Sequence, residues 1–233
     1  MTKYEMKYLM GKPIKEWLKE DRKKSQPLQT PLNHNAPRKE DFIYVPSINL
    51  YVAKEKTMHG LNWIDTHKEL AKEKGKRMPT PYEFTEFIKY LLKNPNGTKD
   101  ASNNEIQLIT KEILEKRDHW RAEHLDVYFE KRNNEMYILT KNKSIADKLD
   151  APIIEDCFVE LLFNKQGMPT QKSSNQNYIQ GKNIFYYHPR TECVARFYAN
   201  SDRANLNCNR NPTNSNSSLG IVYKSGHFMI ISY

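Results

Sequence analysis

The sequence predicts an α+β protein with mixed antiparallel strands, two main helices and an added basic segment at its N-terminus. Three observations predict it. Two stretches in the first half combine capping residues with apolar positions at helical spacing. Short runs rich in β-branched and aromatic residues dominate the second half. Between two of those runs, seven of the 21 residues from Tyr198 to Ser218 are asparagine, against 15 in the rest of the chain.

Composition fits one large domain with an appended segment. The 233 residues are 38% hydrophobic, enough for a sizeable core, while a mean hydropathy of -0.85 requires a very polar exterior. The net charge is +9, and residues 1–40 hold ten Lys/Arg against five Asp/Glu. We therefore divide the chain into a basic N-terminal helical segment and linker over 1–40 and a folded domain over 41–233. The charge is spread over helical faces without an aromatic–basic stacking motif, which speaks against a nucleic-acid partner. No run reaches membrane-spanning length, and the charged N-terminus has no apolar signal-peptide core, so the expectation is a chain made in soluble form. Cys157, Cys193 and Cys208 lack metal-ligand spacing and read as small buried residues in a reducing compartment; a Cys193–Cys208 bridge stays open.

Residues 1–24 carry partial helical spacing through Tyr4, Tyr8, Leu9, Ile14, Trp17 and Leu18, and the prolines at 27, 31 and 37 mark an irregular connection. Phe42 to Ala53 reads as a strand interrupted or bulged at Pro46. A helix should open at Asn62, with Asp65 in its first turn, and stop at Gly75. The next opens with Thr80-Pro81-Tyr82-Glu83, a capping box with proline at the first helical position, and runs on Phe84, Phe87, Ile88, Leu91 and Leu92 to Asn94. A third amphipathic segment lies near Asn104 to Lys116. Leu125 to Phe129 and Met136 to Thr140 predict a hairpin. Cys157 to Phe163 is either a short helix or a buried strand. Ile184 to Tyr187, Cys193 to Tyr198, Leu219 to Lys224 and His227 to Ser232 read as strands, the last two joined by Ser225-Gly226.

The asparagines are Asn200, Asn205, Asn207, Asn209, Asn211, Asn214 and Asn216. In an extended chain their alternation puts amides on one face and Leu206 and Cys208 on the other. Asparagine is a poor strand former. A displayed binding surface, with Tyr198 as its one adjacent large residue, explains the pattern.

Two stretches carry a resemblance. Asn62-Trp63-Ile64-Asp65-Thr66 and Gly75-Lys76-Arg77-Met78-Pro79-Thr80-Pro81-Tyr82-Glu83-Phe84 resemble the formylglycine-generating (sulfatase-modifying) domain signature, whose core is a variant of the C-type lectin fold. Val194-Ala195-Arg196-Phe197 and Ser217-Ser218-Leu219-Gly220-Ile221 bracket the asparagines much as two strands of that family bracket its most variable loop. With the asparagine excess, the chain resembles a variable protein of a diversity-generating retroelement. Such retroelements mutate template adenines, and the asparagine codon AAC is their preferred template. The resemblance covers roughly residues 42–92 and 184–224, and it implies a variable region over about 194–221. The chain departs from that family in placing Trp17, Trp63 and Trp120 away from the region, where such proteins often carry extra tryptophans and glycines; an archaeal or viral branch is the expected one.

The resemblance implies a non-enzymatic protein that binds a protein or glycan ligand, on a virion or cell surface, through Tyr198 and the seven asparagines, with no cofactor and no metal. It implies that Val194, Ala195, Phe197, Leu206, Leu219 and Ile221 hold the fold from behind, and that Ser217 and Ser218 brace the loop. A calcium-dependent carbohydrate-binding lectin is the alternative, weakened because the window offers a single carboxylate, Asp202. A formylglycine-generating-type oxidase would need catalytic cysteines, and the context of Cys193 and Cys208 does not match one. His119, Glu123 and His124 suit a metal or acid–base pair at helical spacing less well than a charged surface.

Overall fold

A computed structural model describes residues 8, 9, 12, 13, 39–73, 75–118, 121–141, 146–150, 152–215, 219, 220, 224 and 225. Within 1–38, the four described residues form a two-stranded antiparallel ladder, Tyr8–Leu9 (β1) with Lys12–Pro13 (β2), so Tyr8 and Leu9 are not helical; the rest of the helix expected over 1–24 lies outside the described residues. Phe42–Val45 (β3) and Leu50–Ala53 (β4) are two antiparallel strands. Pro46 opens the 3-10 turn between them and Asn49 closes it at φ 52°, so the proline makes a hairpin rather than a bulge.

Local signals set the helices. Trp63–Leu70 (α1) is capped by Asn62, whose side chain accepts from the Asp65 amide at 2.8 Å. It ends at Leu70, earlier than Gly75. Lys76–Arg77 (β5) follows, then Pro81–Lys93 (α2) with the reciprocal Thr80–Glu83 capping box. Arg77 forks onto Glu83 at 2.8 and 2.5 Å, tying β5 to the start of α2. Asn103–Leu114 (α3) has its own box between Ser102 and Glu105.

The remaining chain builds the main sheet. Arg121–Arg132 (β6) and Glu135–Leu139 (β7) form the expected hairpin, turned by Asn133 and Asn134 at φ 47° and 64°. Asp147–Lys148 (β8) extends one side, and Cys157–Glu160 (β9) resolves as a strand. Asn183–Tyr187 (β10), Cys193–Ala199 (β11) and Ala204–Arg210 (β12) complete a curled seven-strand path, β8-β7-β6-β11-β12-β10-β9. Leu219–Gly220 (β13) runs parallel to the first part of β6. Lys224–Ser225 (β14) joins β4 to β5 in a second, four-stranded sheet, which places Ser225 in a strand and not a turn. Residues 227–232 lie outside the described residues.

Apolar burial divides at the main sheet. On one side α2 and α3 bury Phe84, Phe87, Ile88, Leu91, Ile106, Ile109 and Ile113 against Leu125, Val127, Phe129, Phe197 and Leu206. On the other, α1 covers part of the sheet with Trp63, Ile64 and Leu70 against Tyr128, Leu139 and Val194. Val194 therefore belongs under α1, on the side opposite Ala195, Phe197 and Leu206, because its alternation with Ala195 turns it there. Among the described residues the architecture is α+β, mostly sheet, with three α-helices.

Candidate ligand-binding face

The asparagine run is a strand at the interior of the sheet. β12 pairs antiparallel with β11 and parallel with β10. Asparagine disfavours strands, but this segment gains backbone ladders on both sides and buries Leu206 and Cys208 fully in the core. Tertiary pairing overrides propensity here.

Register then fixes what shares the outer face. Asn205 lies beside Phe185 and Tyr198, and Asn207 beside Tyr187 and Arg196. On β6, Ala122 lies opposite Tyr198 and His124 opposite Arg196. Phe158, Phe185 and Tyr187 make an edge-on aromatic series with centroids 5.1 and 5.0 Å apart. The Arg203 guanidinium lies 4.0 Å over the Phe185 ring, and that of Arg196 lies 4.6 Å over Tyr198.

These large neighbours correct the expectation of a uniformly displayed amide set. Asn205 is 0% exposed and Asn207 5%, because each stands mid-strand between longer side chains. Asn205 accepts from Arg203 Nε at 3.2 Å and donates to the Arg203 carbonyl at 3.0 Å. Asn207 Oδ1 accepts from the Asn209 amide at 3.0 Å. Asn200 and Asn211 are half-buried and also serve the backbone. Asn200 Oδ1 takes the amides of Asp202 and Arg203, and Asn211 Oδ1 takes that of Thr213. Asn209, half-buried, and Asn214, exposed, make no side-chain hydrogen bond among the described residues. Tyr198 is 9% exposed and packs on Ala122 and Tyr187. Asn216 lies outside the described residues, as do Ser217, Ser218 and Ile221.

The ladder slips between β11 and β12. Arg196 pairs with Asn207 and Val194 with Arg210, so β12 carries one extra residue between those pairs. That bulge breaks the alternation and turns Arg210 to the side of Asn205 and Asn207 rather than that of Leu206 and Cys208. Burial, and then the nearby charge of Arg210, pull Arg196 down to about 10. Burial raises Tyr198, and its hydrogen bond with Tyr187 adds to this. Sequence reading singled out the amides and missed this frame of Arg196, Arg203, Arg210, Phe185 and Tyr187. The Arg196–Tyr198 alternation against Ala195 and Phe197 was its available signal.

Nearby polar groups are structural. Glu123 pairs with Arg121 at 2.7 Å, and His124 Nε2 donates to the Leu61 carbonyl at 3.1 Å. The two neighbours point to opposite faces of β6, not along one helical face, and His119 lies outside the described residues. Among the described residues no three His, Cys, Asp or Glu side chains group to hold a metal ion. Cys193 and Cys208 are unbridged, and burial raises both thiols. No described helix is long and apolar enough to cross a membrane.

His124 makes stability acid-sensitive. Burial takes it from 6.5 down to about 4, assisted by Arg196 and His67 and opposed by its bond to Leu61. Its folded value lies below its unfolded one, so the unfolded chain takes up the proton first as pH falls. The contribution is complete above 6.5 and disappears between about 6.5 and about 4, by roughly 3 kcal/mol. Urea unfolding across that window should show this slope, and His124→Gln should flatten it.

A cavity of about 280 Å³ adjoins the face, lined by Phe158, Tyr178, Ser201, Asp202 and Arg203 among others. Two larger ones lie away from the face, about 590 Å³ beside α3 and about 480 Å³ at the start of α2, and none of the seven asparagines lines any of the three. Comparison with known proteins finds no matching family model, no similar curated protein and no matching solved structure.

Proposed function

We propose that this chain is a non-enzymatic recognition protein, a retroelement-diversified variable protein on a C-type lectin fold, which binds a protein or glycan through the outer face and exit of β12. One observation carries the reading. The asparagine-rich strand is held by backbone ladders on both sides, while its outward side chains meet aromatic rings and guanidiniums. Rigid aromatic and arginine anchors beside adaptable amides are the composition of binding surfaces. The caps of α1 and α2, with the Arg77–Glu83 fork, support the lectin-like part of the reading.

The amides divide by task. Asn200, Asn205, Asn207 and Asn211 brace turns, the strand and the bulge. Asn209 and Asn214 are the adaptable positions, because changing them removes no described side-chain bond. Two libraries test the assignment. Randomising Asn209 and Asn214 should shift unfolding free energy by no more than about 0.5 kcal/mol per substitution and yield binders under selection. Randomising Asn205 and Asn207 should cost about 1–3 kcal/mol each, since buried polar partners lose their bonds. A stable first library from which no target selects any binder would sink the recognition reading.

A further inference from the structure

We propose that the bulge in β12 builds a carboxylate site around Arg210 and Arg196, suited to an acidic sugar of the uronic-acid type. The inference rests on the reading of this face as a recognition surface and names the ligand chemistry that the face would take. Arg210 carries it. This side chain is half-buried, and its Nε is fully covered and bonds nothing. No ion pair or hydrogen bond of the described structure engages its guanidinium. A buried donor left without a partner costs about 1–3 kcal/mol, so such a group calls for an explanation.

The bulge deepens the problem. A regular ladder would point Arg210 to the side of Leu206 and Cys208. The slip places it on the face of Arg196 instead, opposite Val194 and so diagonal to Arg196 across the strand pair. Arg210 then stands close enough to disfavour the charge of Arg196, which burial already penalises. Arg196 is secured by lying on Tyr198. Among the described residues Arg210 has no such support, and an arriving oxyanion would relieve the repulsion on Arg196 and satisfy the Arg210 donors in one contact.

The neighbours favour a sugar over other carriers of a carboxylate. Asn209 flanks Arg210 with an unengaged amide, which both donates and accepts as sugar hydroxyls require. The half-buried Tyr187 ring stands next to Asn207 and offers an apolar surface with a polar tip. An acidic peptide bound by strand addition needs an open sheet edge, and β12 has neighbours on both sides.

The test is calorimetric or NMR titration of the full chain with glucuronate, glucose and inorganic phosphate, at low and physiological salt. Glucuronate should bind the wild type at least tenfold more tightly than glucose or phosphate, and more weakly at higher salt. Arg210→Gln should lose tenfold or more with its melting temperature unchanged or raised, because among the described residues the guanidinium makes no bond and its covered donor is unpartnered. Arg210→Lys should fall between them, retaining the charge without the fork. Equal response to glucose, or to Arg210→Gln and wild type, overturns the proposal, and so does a preference for phosphate. Binders arising from the Asn209/Asn214 library without glucuronate binding would overturn this site and leave the recognition reading standing. Glucuronate binding without any library binders would overturn only the latter.

Discussion

Gly167→Ala is expected to leave little folded protein at 25 °C. Gly167 has φ +76° and sits in a turn stitched by Asn164, whose side chain accepts from the amides of Gln166 and Met168. The turn presses backbone to backbone on the start of α2. An added Cβ would stand 2.1 Å from the Tyr82 nitrogen and 2.2 Å from the Pro81 carbonyl carbon. Neither atom belongs to a side chain that could swing away. Left-handed backbone alone costs an alanine about 1–2 kcal/mol, and displacing the capped helix start should take the loss beyond about 4 kcal/mol. Gly181→Ala is the control. Its φ is nearly the same at +75°, but its Cβ would meet only the end of the Leu92 side chain at 3.4 Å. Urea unfolding of the pair should show a loss of about 1–2 kcal/mol at 181 and near-complete unfolding at 167. Equal losses would show that the contact with α2 is unimportant.

Trp63→Ala should be almost as damaging, at about 4–5 kcal/mol. The indole is 0% exposed, donates from Nε1 to the Leu125 carbonyl at 2.8 Å, and stands edge-on to His67 at 4.4 Å. Trp63→Phe keeps most of the volume and loses the donor, so about 1–2 kcal/mol is expected. The effect should also travel. The Trp63 amide donates to the carbonyl of Pro212 at 3.1 Å, just past β12. Loosening α1 should therefore speed hydrogen exchange at residues 211–214 more than at the α2 end of the core. Uniform acceleration would mean that α1 does not position the exit of β12.

Both effects turn on features of different visibility in the sequence. Helix starts were legible because their determinants are local. Asn62 and Thr80 with Glu83 each cap within three residues, whereas the equally local Ser102–Glu105 box was passed over and only the apolar stripe of α3 was read. The β6–β7 hairpin was legible for the same reason. The hairpin at Pro46 was missed, since a proline between two apolar runs reads equally as bulge or turn. β12 was the hardest. Its amides argue against a strand, and only β10 and β11, which no local pattern reveals as its partners, impose one. The burial of Asn205 and Asn207 depends on Arg203 and Arg196 folding back over aromatic rings, and the position of Arg210 depends on a one-residue slip. Neither leaves a mark in spacing alone.

The place of β12 has a consequence for how such a protein could change over generations. β10 and β11 follow one another in sequence but never touch as neighbours, for the later strand is wedged between them. Without it, β9 and β10 detach from the rest of the sheet. A variant whose altered side chains prevent insertion would thus not persist as a folded molecule with a blank face. It would expose core residues and fall to proteolysis. Under the proposed recognition reading, display of the face and survival of the chain are one event, so the population of intact molecules would be screened for a correctly built surface before any ligand is met.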